Sequence, residues 1–358
     1  MRIITIVGAR PQFIKAASIT RELLNNGIEE IIIHTGQHFD HKMSNLFFDE
    51  MNISKPKYNL DINSLSHGSM TGRMIEKIED ILKIEKPDNI IVYGDTNSTL
   101  AGALAAKKLN IHISHVESGL RSYNMLMPEE INRILTDRIS DFLFCPTEAS
   151  VDNLIKEGFL NFDCKIFNVG DIMYDSALYF EKLSDEKSNI IKKVCLVANN
   201  FVLATVHRQE NTDCQTNFSK IIESLNYLSN QIKVIIPVHP RVSSLFKKYK
   251  LSENIKLIEP VGYLDMIQLI KKSKLIITDS GGLQKEAYFF NKFCITIRKE
   301  TEWVELVSNG YNFIVGSSKE KLLNTFQKLS NKNFVKSDNL YGDGNASKKI
   351  VKEITDFK

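Results

Sequence analysis

Short apolar runs alternate with amphipathic segments along the whole chain, and few folds accommodate that pattern. The runs at residues 2–7, 30–34, 89–93, 111–116, 142–145 and 165–169 are rich in Ile, Val, Leu and Phe and too short for core helices. Between several of them, residues 12–24, 67–83, 98–107 and 129–139 repeat apolar positions at helical spacing. A strand that is apolar on both faces must be covered on both, which predicts parallel strands joined by helices. A second series follows, with strands at 201–206, 233–237, 255–258, 275–278, 293–297 and 312–315 and helices at 217–228, 263–271 and 283–289. A polar, Lys-rich stretch around 183–193 separates the two series. The expected architecture is α/β, with two Rossmann-like domains at 1–170 and 171–344 and a closing helix at 345–358 after the turn Tyr341-Gly-Asp-Gly344. A length of 358 residues agrees, since single cores stop growing below that size. Open parallel sheets bind ligands beyond the carboxyl ends of their strands, so the site is expected in a central cleft that the domains face.

Composition removes several classes of function. A net charge of +3 and the lack of a basic stripe interleaved with aromatics argue against nucleic acid as a partner. The Lys pairs near Lys192, Lys247, Lys271 and Lys348 read as solvated helix faces. No apolar stretch approaches the roughly 20 residues that span a bilayer, so no membrane association is expected. The run at 3–7 stands where a leader peptide would lie, so none is expected. Five scattered cysteines without a Cys-x-x-Cys pair fit a reducing, cytoplasmic setting. His34, Gln37, His38 and His41 form a polar cluster, but their spacing matches no metal motif, and no metal is expected.

Two segments have the makings of anion cradles. Val7-Gly8-Ala9-Arg10-Pro11 is a strand end, a glycine turn and a proline suited to the first turn of a helix, with Arg10 and Lys15 adding positive charge. The other is more specific. Ser280-Gly281-Gly282 lies between a buried strand and a helix carrying Glu286. Glycines let a phosphate approach the backbone, and a carboxylate one turn later can bind ribose hydroxyls, so a nucleoside diphosphate is expected there. No Gly-x-Gly-x-x-Gly or Walker sequence occurs, so no dinucleotide cofactor is expected. Asp95 and Glu117 follow strand ends in loops and are candidates for moving a proton. Glu129 and Glu130 open a helix, where acids also serve as dipole partners. That role suffices for Glu130, while both readings stand for Glu129. His207 and His239 each follow a strand, and His207 reads either as a catalytic base or as a turn residue.

These motifs together resemble the non-hydrolysing UDP-N-acetylglucosamine 2-epimerases. The likeness runs through Gly8-Ala-Arg-Pro-Gln-Phe-Ile-Lys15, Thr35-Gly-Gln-His38, Tyr93-Gly-Asp-Thr96, His115-Val-Glu-Ser-Gly-Leu-Arg121, Pro128-Glu-Glu-Ile-Asn-Arg133, His207-Arg-Gln-Glu-Asn211, Thr278-Asp-Ser-Gly-Gly282 and Tyr341-Gly-Asp-Gly344. Each motif is weak alone, but the ordered set is specific. The resemblance implies a GT-B fold, a homodimer and inversion at carbon 2 of a UDP-N-acetyl-hexosamine that feeds surface polysaccharide. It further implies a catalytic group of Asp95, Glu117, Glu129 and His207. Arg10, Lys15 and Arg133 would contact the substrate, and Ser280, Gly281, Gly282 and Glu286 would hold the UDP. Gln37 and His38 match a segment that lines a second, regulatory UDP-sugar site in some relatives. No cofactor is implied.

Departures from the family pattern bear on the sugar. Thr301-Glu302-Trp303-Val304-Glu305 has Trp303 where an arginine contacts substrate. Val261 and Met266 stand where a glutamine and an aromatic residue surround uracil. The loop between Arg121 and Pro128 is about two residues shorter. These features resemble a subgroup acting on modified sugars such as UDP-2,3-diacetamido-glucuronate. Three alternatives stay open: a hydrolysing 2-epimerase, a glycosyltransferase of the same fold, and a non-catalytic UDP-sugar sensor.

Overall fold

The structure, a computed structural model, describes residues 1–37, 55–336 and 339–357, without the side chains of Arg10, Pro240 and Arg241. Two compact units emerge, Met1–Leu178 with Asn339–Lys358, and Tyr179–Asp338. The first unit therefore takes back residues that sequence assigned to the second. Its reason is local. Asp171 N donates to Tyr341 O at 3.0 Å, and buried Asp175 accepts from Ala346 N, Ser347 N and Ser347 Oγ at 2.8–3.0 Å. Gly170 and Gly342 both take positive φ, and a Cβ on either would lie 2.9 Å from the other segment.

The first unit is built on a parallel sheet of seven strands. They are β1 (Arg2–Val7), β2 (Glu29–His34), β3 (Tyr58–Asn59), β4 (Asn89–Tyr93), β5 (His112–Val116), β6 (Phe142–Cys145) and β7 (Lys165–Asn168), in the order β3-β2-β1-β4-β5-β6-β7. Every residue of β4 is buried, as a strand covered on both faces requires. One face packs Ile4, Ile33, Ile90, Val92 and Ile113 into a core with Ile78 and Leu82 of the helix His67–Glu85. The two-residue β3 carries no pattern that sequence could register.

The second unit repeats the plan with β8 (Phe201–Thr205), β9 (Lys233–Pro237), β10 (Ile255–Ile258), β11 (Ile276–Thr278), β12 (Cys294–Thr296) and β13 (Asn312–Ile314) in the order β10-β9-β8-β11-β12-β13. All its pairings are parallel too. In both sheets the order runs outward from the first strand and then reverses, the topology that leaves loops free at the carboxyl edge. The polar stretch expected to separate the series is helical over Ile172–Lys187 and Ile190–Lys193. Its polar residues are used rather than idle. Lys271 pairs with Glu181 at 3.0 Å and Asp185 at 2.8 Å, and Gln268 donates to Ser184 and Asp185.

Candidate active site

In the first unit, the loops after β4 and β5 converge. Gly94 N donates to Val116 O at 2.9 Å, which sets Asp95 and Glu117 on adjacent strand ends. Glu117 takes φ +70°, a left-handed conformation uncommon outside glycine and costly to hold. Its backbone N–H reaches Phe144 O at 3.1 Å, and its carboxylate pairs with Lys15. Both side chains of that pair are 9% exposed. Gly94 makes room for them. A Cβ there would sit 3.1 Å from Glu117 Oε2 and 3.3 Å from Lys15 Nζ.

Asp95 is held from the helix Pro128–Ile139. Arg133 reaches its Oδ2 with Nη2 at 2.7 Å and Nε at 3.0 Å, and Asn132 donates to the Asp95 carbonyl at 2.9 Å. The same guanidinium pairs with Glu130. Glu130 does more than start a helix. It is fully buried and accepts from Ser122 N, Tyr123 N and Ser122 Oγ at 2.8–3.0 Å. Burial pushes its carboxyl up, but those N–H donors and Arg133 outweigh burial and hold it below the ordinary range. Glu129 stands half-buried in the same turn.

The turn after β1 is packed. A Cβ on Gly8 would lie 2.2 Å from Ser98 Oγ and 2.3 Å from Thr35 Oγ1. Buried Gln12 accepts from Gly8 N and Ala9 N at 2.7 and 3.0 Å and donates to Tyr93 O at 2.8 Å. Sequence reasoning missed this glutamine, which ties the β1 turn to the end of β4. Gln37 accepts from Ser98 N and Oγ at 3.1 and 2.7 Å. His38 and His41 lie outside the described residues, as does the side chain of Arg10. Among the described residues, no cluster of three or more His, Cys, Asp or Glu could hold a metal.

In the second unit, β11 runs into Asp279 and then the Ser280–Gly282 turn. Ser280 caps the helix Gly281–Phe289, which carries Glu286 in its buried interior. A Cβ on Gly281 would meet Glu302 Oε1 at 2.5 Å, while one on Gly282 would meet nothing within 4 Å. Trp303 is 4% exposed; its Nε1 donates to Gly281 O at 2.9 Å, and Lys285 Nζ lies 4.0 Å from its ring centroid. Arg298 pairs with Glu302 at 2.9 Å. Fully buried Asp279 accepts from His207 N, Arg208 N and Asn211 Nδ2 at 3.0–3.1 Å and approaches His207 Nδ1 at 3.4 Å. One carboxylate therefore fastens the His207 loop to the residue that opens the glycine turn. The His207 and His239 rings stack with centroids 5.9 Å apart. Sequence singled out Ser280–Gly282 and His207 but not Asp279, whose signal was an acid directly after a short apolar strand.

Taken together, the first unit supplies carboxylates held by cations, and the second a glycine turn beside a histidine. Residues 21–355 match the family model described as UDP-N-acetylglucosamine 2-epimerase. The chain is 50% identical over 353 residues to a UDP-2,3-diacetamido-2,3-dideoxy-D-glucuronate 2-epimerase of Pseudomonas aeruginosa, covering 98% of each. It is 53% identical over 358 residues to a UDP-N-acetylglucosamine 2-epimerase homolog of Methanococcus maripaludis, again covering 98% of each. The crystal structure of Methanocaldococcus jannaschii UDP-GlcNAc 2-epimerase in complex with UDP-GlcNAc and UDP superposes with a TM-score of 0.91 at 42% identity, covering 99% of both chains.

Proposed function

The chain belongs to the UDP-N-acetylglucosamine 2-epimerase family and has its GT-B type fold, and from that premise we propose how it works and on which sugar. A carboxylate of the first unit, Asp95, Glu117 or Glu129, removes the hydrogen at carbon 2. UDP leaves in the anti direction to give a glycal. Reprotonation from the opposite face and return of UDP complete the inversion. Two faces need two sets of proton-transfer groups, which gives several carboxylates a purpose. Ser280, Gly281 and Gly282 take the diphosphate, Glu286 the ribose, and His207 assists at the same substrate. Arg10, Lys15 and Arg133 are the cations available to substrate. For Lys15 and Arg133 that contact would be shared with the carboxylates they already hold. Gln37 and His38 would line a regulatory UDP-sugar site. No step needs a redox cofactor.

The sugar proposed is a 2-acetamido hexose carrying further groups at carbons 3 and 6, of the 2,3-diacetamido-glucuronate kind. Buried Trp303 carries this reading, because it occupies the arginine position and is committed to the Gly281 carbonyl. A relative named for that sugar is 50% identical and covers 98% of the chain. A panel of UDP-sugars followed by NMR tests it. Turnover of the diacetamido-glucuronate well above UDP-GlcNAc supports the reading, and the reverse order overturns it. Free sugar in place of UDP-sugar product would point to the hydrolysing alternative. The product would supply surface polysaccharide, with the enzyme in the cytoplasm. No helix among the described residues is long and apolar enough to cross a membrane.

The functional form proposed is a homodimer. Tyr123, Met125, Leu126, Ile131 and Leu135 expose 39–93% of their surface on and before one helix, an apolar group of the kind that partners cover. Light scattering should give twice the chain mass, and Leu126→Asp should shift it towards the monomer. A monomeric wild type would contradict the proposal.

A further inference from the structure

A buried chain of hydrogen bonds lies behind the two loops of the first unit. His115, in β5, is fully buried, with Nδ1 2.6 Å from Asp137 Oδ1 and Nε2 2.7 Å from the Gly94 carbonyl. A carbonyl only accepts, so Nε2 carries a hydrogen. Asp137 is also fully buried, and its Oδ2 takes Arg121 Nη1 at 2.7 Å and Gly119 N at 3.1 Å. Burial pushes the Asp137 carboxyl up, but His115 and Arg121 outweigh burial and hold it below the ordinary range. The ring thus bridges a backbone carbonyl and a buried carboxylate. Arg121 closes the chain with a bidentate pair to Glu157 at 2.7 and 2.7 Å.

Its attachment points explain its use. One end of the ring holds the carbonyl of Gly94, next to Asp95 in a turn with φ +63°. The other acts through Asp137 on the N–H of Gly119, at φ +74°, two residues after Glu117. Removing the ring would free the Gly94 carbonyl and take away one of the groups that fix Asp137, which in turn holds Gly119. We infer that His115 is a positioning residue for proton transfer: set between Asp137 and the Gly94 carbonyl, it fixes the loops that carry Asp95 and Glu117. The inference rests on the reading that those carboxylates move the proton at carbon 2.

The test uses the full chain with His115→Gln and Asp137→Asn, assayed with a UDP-sugar that the wild type turns over in deuterated water. Active sites are counted by UDP titration. A glutamine presents its amide oxygen to Asp137 when its NH2 serves Gly94, so the pair cannot be rebuilt. The expected result is a fall in kcat of about 100-fold per UDP-binding site, the scale of a displaced catalytic group, with KM and UDP affinity near wild type. A merely structural role would lower the yield of folded protein and leave kcat per site unchanged, and that result would overturn the inference. Should both variants fail to fold, nitrogen-15 histidine spectra of the wild type decide. One ring with a slowly exchanging Nε2 hydrogen supports the inference, and its absence overturns it. Glu117→Gln is measured alongside. If it keeps wild-type turnover, the carboxylate reading falls and the inference with it. If it is inactive while His115→Gln is fully active, only the inference falls.

Discussion

Glu117 illustrates how a residue's chemistry depends on the strain that holds it. A side chain at φ +70° persists only where neighbours fix it, and here Lys15, Phe144 O and the space left by Gly94 do so. Glu117→Gln keeps the shape and removes the proposed base, so turnover should drop by about 10²–10⁴-fold while UDP affinity is retained. Lys15 then faces an amide in a buried pair, so activity must be scaled to folded protein measured by circular dichroism. Activity near wild type would remove Glu117 from the mechanism. Glu130 offers a pH test. Its folded carboxyl lies below its ordinary value of 4.5, so its stabilisation is complete above about pH 4.5 and is lost as pH falls through the lower, folded value. The difference in melting temperature between wild type and Glu130→Gln should therefore be full at neutral pH and shrink on acidification below about pH 4.5. A gap independent of pH would assign Glu130 a different role. The candidate carboxylates were legible in sequence because acids after apolar strands stand out. Glu130 was not, since a helix-opening acid looks the same whether it is solvated or clamped by Ser122, Tyr123 and Arg133.

Strands and helices were more legible than the contacts between them. Each apolar run named in the sequence became a strand, with ends differing by a residue or two, because burial on both faces leaves an unbroken pattern. The short β3 was missed because two residues carry no period, and the helices around 183–193 because their residues are fixed by distant partners such as Lys271. Gly8 shows the same dependence. Sequence marks a turn there, but the need for glycine comes from Ser98 and Thr35, far along the chain. Gly8→Ala should destabilise the first unit by about 1–3 kcal/mol as Ser98 and Thr35 are forced apart. Thermal unfolding measures it, and an unchanged melting temperature would show that the turn relaxes freely.

For the molecule as a whole, two similar sheets divide the work unequally. The Met1–Leu178 unit carries the paired carboxylates and cations, and the Tyr179–Asp338 unit carries the glycine turn fastened to His207 through Asp279. The division at 170 expected from sequence missed the return of the chain at Asn339, because nothing in the local pattern reveals that Asp175 accepts from Ala346 and Ser347. Membership in the 2-epimerase family rests on nearly the whole length of the chain, whereas the proton-transfer roles are proposals. The most direct measurement is therefore the fate of the hydrogen at carbon 2. During turnover in deuterated water, mass and NMR spectra should show deuterium at carbon 2 of the UDP-sugar product, as removal and return of a proton by carboxylates requires. Epimerised product that retains its original hydrogen at carbon 2 would contradict the account.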